Sequence, residues 1–238
     1  MRKIFLILVI LILLTGCKRN DNELVMVTEA GFAPFEYYEN GEIVGVDIEI
    51  AREIAKELGK ELVIKDVAFD SIINEVKSGK SDFGAAGISY SEERSRQVDF
   101  SNDYFISNLV IIIRKNQNET IFNDLSNKKI AVQLGSTADS FVTKNYDNKN
   151  IVRQKKYLTT VEDLKNNKVD CIIMDELPAR SIVSNNSELK IINRVLSSEK
   201  YGMVVKKGNK ELLDVINKVI NRLINEGKID EYIINYTK

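Results

Sequence analysis

Ser78-Gly79-Lys80-Ser81-Asp82, followed by the apolar residues Phe83 to Ala86, indicates the fold, because the chain repeats this pattern about ninety positions later. There, Asn166-Asn167-Lys168-Val169-Asp170 precedes the apolar stretch from Cys171 to Met174. In both places a predicted helix ends in a two-residue turn, Lys-x-Asp follows, and a strand begins. A chance match of so short a string is the alternative, but the repeat favours two lobes of similar build.

Around these two points, short strands alternate with helices along the chain. Leu24 to Thr28 is a predicted strand, and apolar residues recur at helical spacing from Ile48 to Leu58, just before Gly59. The second half follows the same plan, with a strand over Lys129 to Gln133 and a helix that opens at Gly135. Such alternation is typical of an α/β fold, and we expect each lobe to have a central sheet flanked by helices.

Two apolar stretches are candidates for the connection between the lobes. Leu109 to Ile113 follows the first half, and Tyr201 to Gly208 precedes the last helices. We therefore expect lobe 1 to comprise residues 23–107 and 202–238, and lobe 2 to comprise residues 108–201. Two crossing strands of this kind permit hinge bending about a cleft between the lobes.

The N-terminal residues have the pattern of an export signal. Two basic residues precede an apolar run from Ile4 to Leu14, which is too short to span a membrane. Leu14-Thr15-Gly16-Cys17 follows and is similar to the lipobox of bacterial lipoproteins, in which the cysteine is diacylated. This predicts a signal peptide over residues 1–16, a lipidated Cys17 within a tether over residues 17–22, and an extracytoplasmic protein anchored to the bacterial cell membrane. The alternatives are a plain signal peptide with an incidental cysteine and an uncleaved anchor helix.

The composition argues against several classes of function. Lys and Arg number 34 and Asp and Glu 35, so the formal net charge is -1, and charges of both signs are scattered throughout. Nucleic-acid binding depends on clustered positive charge, so no such partner is expected. The sequence has no histidine, the commonest general base and transition-metal ligand. This argues against hydrolases and zinc enzymes, and we expect no cofactor and no metal.

The segment from Glu29 to Tyr37 is the first candidate binding group. It directly follows the first predicted strand, and its aromatic residues flank Pro34. Groups at the carboxyl edge of a sheet lie where α/β proteins bind ligands. A loop that only caps the core with its aromatic rings would have the same pattern.

A second candidate group lies between Gly87 and Arg94. Here a strand ends and a short helix begins, with Arg94 on its first turn. The guanidinium has a planar fork of donors that matches a carboxylate, and the Ser89 hydroxyl lies nearby in sequence. The alternative is a surface arginine paired with Glu92 or Asp99.

The third candidate group joins two positions in the second half of the chain. Gly135-Ser136-Thr137 is a strand-to-helix turn whose free amides favour an anion. Asp175 ends the next predicted strand and is placed to accept an ammonium, although capping the following helix is the commoner role of such an aspartate. Together with Arg94, these groups form the complement of a zwitterion.

The motifs resemble those of the family-3 solute-binding proteins, the periplasmic amino-acid-binding proteins of ABC transporters. The resemblance covers nearly the whole chain after the signal and is most specific in Phe32-Ala33-Pro34-Phe35-Glu36, Val44 to Ile48, Ser78 to Asp82, Ser89 to Arg94, Val98 to Ser101 and Val132 to Thr137. It implies a two-lobed, type II periplasmic-binding-protein fold. It also implies a monomer without enzymatic activity that captures a free amino acid and delivers it to a membrane permease.

Carried over position by position, the resemblance implies a role for each candidate residue at the two ends of the zwitterion. Arg94, Ser89 and the Thr137 amide would hold the α-carboxylate of the ligand. Asp175, Ser89 and the Gly87 carbonyl would hold its α-ammonium.

The choice of amino acid depends on the residues expected around the ligand side chain. By the same resemblance, Phe32 and Phe69 would sandwich that side chain. The sequences Thr28-Glu29-Ala30 and Val67 to Ser71 look like those of arginine-binding members, in which Glu29 would meet a cationic tail. The alternative is that Glu29 faces solvent or caps a turn. Glutamine or another polar amino acid therefore competes with arginine and lysine, and cystine is a further candidate.

Two other classes of function fit the same fold. Cyclohexadienyl dehydratases resemble this family, but they bind a prephenate-like dianion that Asp175 would repel. A sensor module like those of histidine kinases would need a separate signalling partner. We expect a binding protein for transport.

Overall fold

A computed structural model of the chain describes residues 20–237, so the predicted signal peptide and Cys17 lie outside the described residues. The described part contains thirteen strands and eight α-helices. The strands are β1 (Glu23–Thr28), β2 (Gly31–Phe32), β3 (Glu36–Glu39), β4 (Glu42–Val44), β5 (Glu61–Asp66), β6 (Phe83–Gly84), β7 (Val98–Phe100), β8 (Phe105–Arg114), β9 (Ile130–Gln133), β10 (Ile151–Gln154), β11 (Cys171–Asp175), β12 (Leu189–Tyr201) and β13 (Val204–Lys206). The helices are α1 (Val46–Leu58), α2 (Ile72–Lys77), α3 (Glu92–Ser95), α4 (Thr137–Asn145), α5 (Tyr157–Lys165), α6 (Glu176–Ser184), α7 (Lys210–Asn225) and α8 (Lys228–Tyr236).

Lobe 1 is built on a five-stranded sheet with the spatial order β5-β1-β6-β13-β7. β1 runs parallel to β5 and β6, whereas β13 runs antiparallel to β6 and β7. Successive side chains of a strand point to opposite faces of the sheet, so a strand covered on both faces is apolar at every position. In β1, Met26 accordingly packs in the same core as Ile54 of α1 and Ile216 of α7, and Val27 packs with Ile72 of α2.

Lobe 2 is built on a second five-stranded sheet, with the order β10-β9-β11-β8-β12. β9 runs parallel to β10 and β11, and β8 runs antiparallel to β11 and β12. Read across the sheet, the sequence of parallel and antiparallel neighbours is the same as in lobe 1. The expected pair of lobes with similar build is confirmed.

The repeated Lys-x-Asp sequence forms the same local structure in both lobes. Asp82 precedes β6, and its Oδ2 atom accepts a hydrogen bond from the Val25 amide at 2.7 Å. Asp170 precedes β11, and its Oδ2 atom accepts one from the Lys129 amide at 2.8 Å. In each lobe the aspartate thus joins the start of one parallel strand to its neighbour, so the repeat has a structural cause and is not a chance match.

The lobes are joined by β8 and β12, which pair antiparallel with Phe105 opposite Tyr201. The predicted strand over Leu109 to Ile113 is the middle of the longer β8. The predicted strand over Tyr201 to Gly208 is wrong as one element, because Tyr201 ends β12 and a separate strand of the other sheet begins at Val204. The chain changes sheets between these two residues.

Candidate functional site

A cavity of about 300 Å³ lies between the lobes, and all eight candidate ligand-binding residues line it. Its walls comprise Glu29, Phe32, Glu36, Phe69, Ala86, Gly87, Ser89 and Arg94 from lobe 1, and Gln133, Ser136, Thr137, Tyr157 and Asp175 from lobe 2. Many of these residues end or directly follow the parallel strands, and the carboxyl edge of an α/β sheet is where ligands bind.

Arg94 lies between the two lobes and bonds to both. Its Nη1 atom donates to the Ser89 carbonyl at 2.6 Å, and its Nη2 atom donates to the Gly135 carbonyl of lobe 2 at 2.8 Å. The backbone beneath it is fixed because the Ser91 hydroxyl caps α3 and accepts from the Arg94 amide at 3.2 Å. The guanidinium carbon also lies 5.4 Å from the centre of the Phe69 ring, a cation–π distance.

The alternative of a surface pair between Arg94 and Glu92 or Asp99 is wrong. Glu92 is paired with Arg96 at 3.8 Å, four residues further along, where helical geometry places side chains on the same face. Asp99 is paired with Lys207 at 2.7 Å. Arg94 instead points into the cleft, where burial lowers its pKa, although an arginine remains charged at any physiological pH.

Asp175 is a buried carboxyl at the end of β11, with 5% of its surface exposed. It occupies the N-cap position of α6, but its side chain makes no capping hydrogen bond, so the helix-capping alternative is wrong. Burial raises the pKa of Asp175 to about 6, while the neighbouring Tyr201 and Ser107 hydroxyls favour the ionised form. Within the described part of the chain, its Oδ1 atom makes no well-formed hydrogen bond.

Glu29 is also buried, at 1% exposed, so the alternative that it faces solvent is wrong. Its Oε2 atom accepts a hydrogen bond from the Gln133 amide nitrogen at 3.1 Å, and the Lys156 ammonium lies 3.7 Å from its Oε1 atom. Both partners belong to lobe 2. Burial raises the pKa of Glu29, and Gln133 and Lys156 oppose that shift.

Phe32 and Phe69, the two rings expected around the ligand side chain, both line the cavity and have different neighbours. Phe32 lies against Tyr157 of lobe 2, with ring centroids 5.7 Å apart and ring planes 24° from parallel. Phe69 faces the Arg94 guanidinium instead. Gly87 lies under the Phe32 ring with a φ of 51°, and a Cβ atom there would come within 2.8 Å of the ring. Glycine therefore allows the aromatic wall to pack against the end of lobe 1's sheet.

The sequence reasoning missed four polar or aromatic residues of the cavity: Glu36, Gln133, Ser136 and Tyr157. The first three lie inside stretches that carried the family resemblance, so their positions were flagged without a role. Tyr157 had no signal. It begins a helix whose pattern is that of an ordinary amphipathic segment, and its ring reaches the cavity only because the lobes meet there.

Glu36 and Asp47 form a second, deeper acidic region beside the cavity. Both are at most 1% exposed. Asp47 accepts hydrogen bonds from the Gly87 amide at 3.0 Å and from the Tyr104 hydroxyl at 2.7 Å. Burial raises the pKa of Asp47 to about 6, and burial together with the nearby Asp47 raises the pKa of Glu36 well above its ordinary value. Burial and a neighbouring carboxyl group both oppose ionisation, so the surroundings of Glu36 favour its neutral form.

The cavity is therefore lined by the cationic guanidinium of Arg94, by ionisable carboxyl groups and by aromatic rings. Among residues 20–237, no group of three or more His, Cys, Asp and Glu side chains is arranged to hold a metal ion. Burying opposite charges is favourable only when each is paired, so a ligand with both charges fits this lining.

Two lobes of the same build, joined by paired strands around a polar cavity, define a periplasmic-binding-protein fold. The chain belongs to the bacterial extracellular solute-binding proteins, family 3, whose family model matches residues 24–238. Residues 1–17 match the prokaryotic membrane lipoprotein lipid attachment site, so the protein is extracytoplasmic and carries a site for a lipid anchor. In the part of the chain that the structure describes, no helix is long and apolar enough to cross a membrane.

Individual relatives agree with this assignment. The arginine-binding extracellular protein ArtP of Bacillus subtilis is 30% identical over 222 residues, which cover 91% of this chain and 87% of that protein. The amino-acid ABC transporter substrate-binding protein AbpA of Streptococcus pneumoniae, solved with L-arginine, has a TM-score of 0.87 and 35% identity, covering 91% of this chain and 94% of that one. An ancestral arginine-binding protein solved with glutamine has a TM-score of 0.85 and 37% identity, covering 92% and 99%. All three are binding proteins, which argues against the dehydratase alternative.

Proposed function

We propose that this protein is the substrate-binding lipoprotein of an amino-acid ABC importer and that it captures a free basic amino acid, with arginine as the preferred ligand. The observation that carries the proposal is the charge pattern of one small interlobe cavity. Arg94, Asp175 and Glu29 lie around it, one cation and two carboxyl groups. A basic amino acid carries one carboxylate and two cationic groups, which is the complementary set.

The α-carboxylate of the ligand would bind at Arg94. Its guanidinium bonds to the Ser89 and Gly135 carbonyls and retains other N–H groups for a bidentate contact with a carboxylate. Thr137 is the first residue of α4, so its amide belongs to a helix N-terminus that favours an anion. The two lobes would thus each supply donors to the same carboxylate.

The α-ammonium would bind at Asp175. The carboxyl group is buried, lines the cavity and has an oxygen without a well-formed hydrogen bond from the described residues. An ammonium at hydrogen-bond distance would stabilise its ionised form and offset the cost of burial. Ser89 and the Gly87 carbonyl, on the other side of the cavity, would accept the remaining N–H groups.

The cationic tail would approach Glu29 between aromatic walls. Glu29 is the remaining cavity-lining carboxyl group with partners from lobe 2, whereas burial and the nearby Asp47 raise the pKa of Glu36 and favour its neutral form. A guanidinium is planar and stacks on aromatic rings, so Phe32 and Phe69 suit it better than they suit a compact ammonium. The arginine-binding relatives support this preference, and the glutamine-bound ancestral protein makes glutamine the first competitor.

The remaining parts of the proposal concern delivery. As in the family to which the chain belongs, a membrane permease would receive the ligand from the closed protein, which acts as a monomer. Cys17 would carry the lipid chains that keep the protein close to that permease.

Thermal-shift measurements with each common amino acid test the proposal. A ligand at a hundredfold excess over its Kd adds about 2.7 kcal/mol to the free energy of unfolding, and we expect the largest rise in melting temperature with arginine. Arg94→Ala should lose this rise. Arg96→Ala is the matched control, because Arg96 is exposed and, among the described residues, forms an ion pair with Glu92 alone. Absence of a shift with every amino acid would contradict the function, and a larger shift with glutamine would contradict the ligand preference.

A further inference from the structure

Lys156 is a lobe-2 side chain that faces two carboxyl groups of lobe 1. Its ammonium lies 3.7 Å from the Oε1 atom of Glu29 and 3.8 Å from the Oδ2 atom of Asp66. Asp66 ends β5 and is held in place, since its carboxylate accepts from the Ala30 amide at 2.9 Å and from the Tyr38 hydroxyl at 3.3 Å. Lys156 therefore spans the gap between the lobes beside the cavity.

We propose that Lys156 is a specificity-determining residue, whose charge competes with the cationic tail of the ligand for Glu29 and so limits the preference of the cavity for basic over neutral polar amino acids. This inference rests on the proposed function and deepens it. Lys156, which lies outside the cavity wall, would thus set the relative affinity for arginine and glutamine.

Three charged side chains surround the end of the cavity where Glu29 lies. Glu29 and Asp66 supply two negative charges and Lys156 one positive charge, so the region has a net charge of about −1 and accepts one further cation. Glu36 is left out of this count because burial and the nearby Asp47 raise its pKa well above its ordinary value and so favour its neutral form. Removal of Lys156 leaves two negative charges for the same cationic tail.

A ligand with a neutral side chain, such as glutamine, leaves the charge of Glu29 to be compensated by the protein alone. Glu29 then keeps its lobe-2 partners, the Gln133 amide at 3.1 Å and the Lys156 ammonium at 3.7 Å, and its buried charge stays compensated. Without Lys156, a neutral ligand leaves that carboxylate with one neutral partner, which costs free energy in a buried site. The loss of Lys156 therefore favours a cationic ligand and disfavours a neutral one. Both effects raise the affinity for arginine relative to the affinity for glutamine.

The size of the effect is set by exposure. Glu29 is almost fully buried, but the Lys156 side chain is 49% exposed, so water and salt screen the interaction. An interaction of this kind is worth about as much as a good surface ion pair, which corresponds to a change of roughly threefold to tenfold in the affinity ratio.

The test measures the Kd of arginine and of glutamine by calorimetry for the wild type, Lys156→Met, Lys156→Arg and Lys155→Met. Lys156→Met should raise the preference for arginine over glutamine by about threefold to tenfold, and the gain should shrink at high ionic strength. Lys156→Arg restores the charge and should keep the wild-type ratio. Lys155 is the exposed neighbour, without an ion pair to any residue in the range 20–237, and Lys155→Met should also keep that ratio.

An unchanged ratio in Lys156→Met overturns the assignment, and so does an equal change in Lys155→Met, which would reflect overall charge. In a Glu29→Gln background, Lys156→Met should have no effect on the ratio, because the carboxylate for which the two cations compete is gone. A change in the affinity ratio that persists in the Glu29→Gln background also overturns the assignment of Lys156. Wild-type protein that binds no amino acid is a separate result, which contradicts the proposed function and this inference with it.

Discussion

At the scale of single residues, the proposed ammonium site at Asp175 should depend on the protonation of that carboxyl group. Burial raises the pKa of Asp175 to about 6. Below that pH the carboxyl group is neutral in the ligand-free protein, and an α-ammonium must displace a proton to bind. Affinity for an amino acid should therefore be constant above pH 7 and fall about tenfold for each unit below pH 6.

Calorimetric titrations between pH 8 and pH 4.5 check this expectation. Asp175→Asn should bind weakly, and the part of the pH profile due to Asp175 should vanish. Asp147→Asn should bind like the wild type, since Asp147 is exposed and its pKa is lowered by its bonds to Lys149. Equal losses in the two variants would point to overall charge rather than to an ammonium site.

Stability should change with pH in the opposite direction to affinity. Because the pKa of Asp175 is raised on folding, its charged form destabilises the folded protein, and this cost is relieved as the pH falls from about 6 towards the ordinary value of 3.8. The pKa of Asp47 is also raised on folding, so its protonation likewise stabilises the folded protein as the pH falls. These two groups thus contribute stability to the ligand-free protein in the range in which it loses affinity, and the melting temperature of the ligand-free protein at each pH separates the loss of affinity from unfolding.

The individual site residues differ in how far the sequence predicts them. Arg94 and Asp175 were predictable because each follows a strand and carries a charge that suits one end of a zwitterion. The contacts of Phe32 with Tyr157 and of Glu29 with Lys156 were not, because each partner lies more than a hundred positions away. No local pattern marks a contact that depends on how two lobes meet.

At the scale of elements, the repeated turn was predictable because its chemistry is local. Gly79 and Asn167 precede the two lysines, and both have positive φ angles, of 75° and 59°. Glycine and asparagine are the residues that adopt this conformation most readily. The ends of β8 were not predictable in this way. Its first residues, from Phe105 to Asn108, belong to the strand because they pair with the end of β12, which is distant in sequence.

The connecting strands are fixed to lobe 1 by an aromatic cluster. The Phe35 ring lies 5.0 Å from the Phe105 ring and 5.1 Å from the Tyr201 ring, and the last two residues pair across β8 and β12. Phe35 belongs to the segment that also carries Glu29 and Phe32. The segment that lines the cavity therefore also packs against the two strands that connect the lobes.

The start of α1 supports this segment and gives a prediction at the same scale. Gly45 has a φ of 130°, and a Cβ atom there would lie 2.2 Å from the Phe35 carbonyl oxygen and 2.7 Å from that of Pro34. Gly45→Ala must therefore displace the backbone of the aromatic segment. We expect it to lower the free energy of unfolding by roughly 2–4 kcal/mol and to weaken amino-acid binding.

Urea unfolding followed by circular dichroism measures this change. Gly59→Ala, at the other end of α1, is the control. Gly59 also has a positive φ, of 64°, but a Cβ atom there has no neighbour within 4 Å, so the cost should be about 1 kcal/mol. Similar losses for the two variants would show that backbone conformation alone matters and that the close approach to Phe35 does not.

At the scale of the whole molecule, closure of the lobes and binding are one event. Arg94 bonds to Gly135, Gln133 bonds to Glu29, and Phe32 stacks on Tyr157, and each of these contacts joins lobe 1 to lobe 2. A ligand that pairs with charges on both sides stabilises the closed arrangement by its differential affinity for it. In the proposed complex, the buried charges of both lobes would thus be paired when the lobes meet around a zwitterion.

The position of Cys17 predicts that anchoring and ligand capture are separable. The lipid attachment site ends at residue 17, whereas the cavity residues begin at Glu29, and the described residues between them, 20–28, do not line the cavity. Each buried CH₂ group of an acyl chain contributes about 0.8 kcal/mol, so stable attachment would depend on the acyl chains proposed for Cys17. Cys17→Ser, expressed in a bacterium that processes lipoproteins, should leave the membrane fraction and bind its amino acid with unchanged Kd.

Cell fractionation and calorimetry on the released protein measure the two properties independently. Cys171→Ala is the matched control, because Cys171 is the other cysteine of the sequence and lies in the core of lobe 2 with no exposed surface. It should stay with the membrane and lose some stability from the small cavity left by the sulfur. If Cys17→Ser stays in the membrane fraction, the N-terminal apolar run itself is the anchor. If it is released but binds more weakly, the tether contributes to the site.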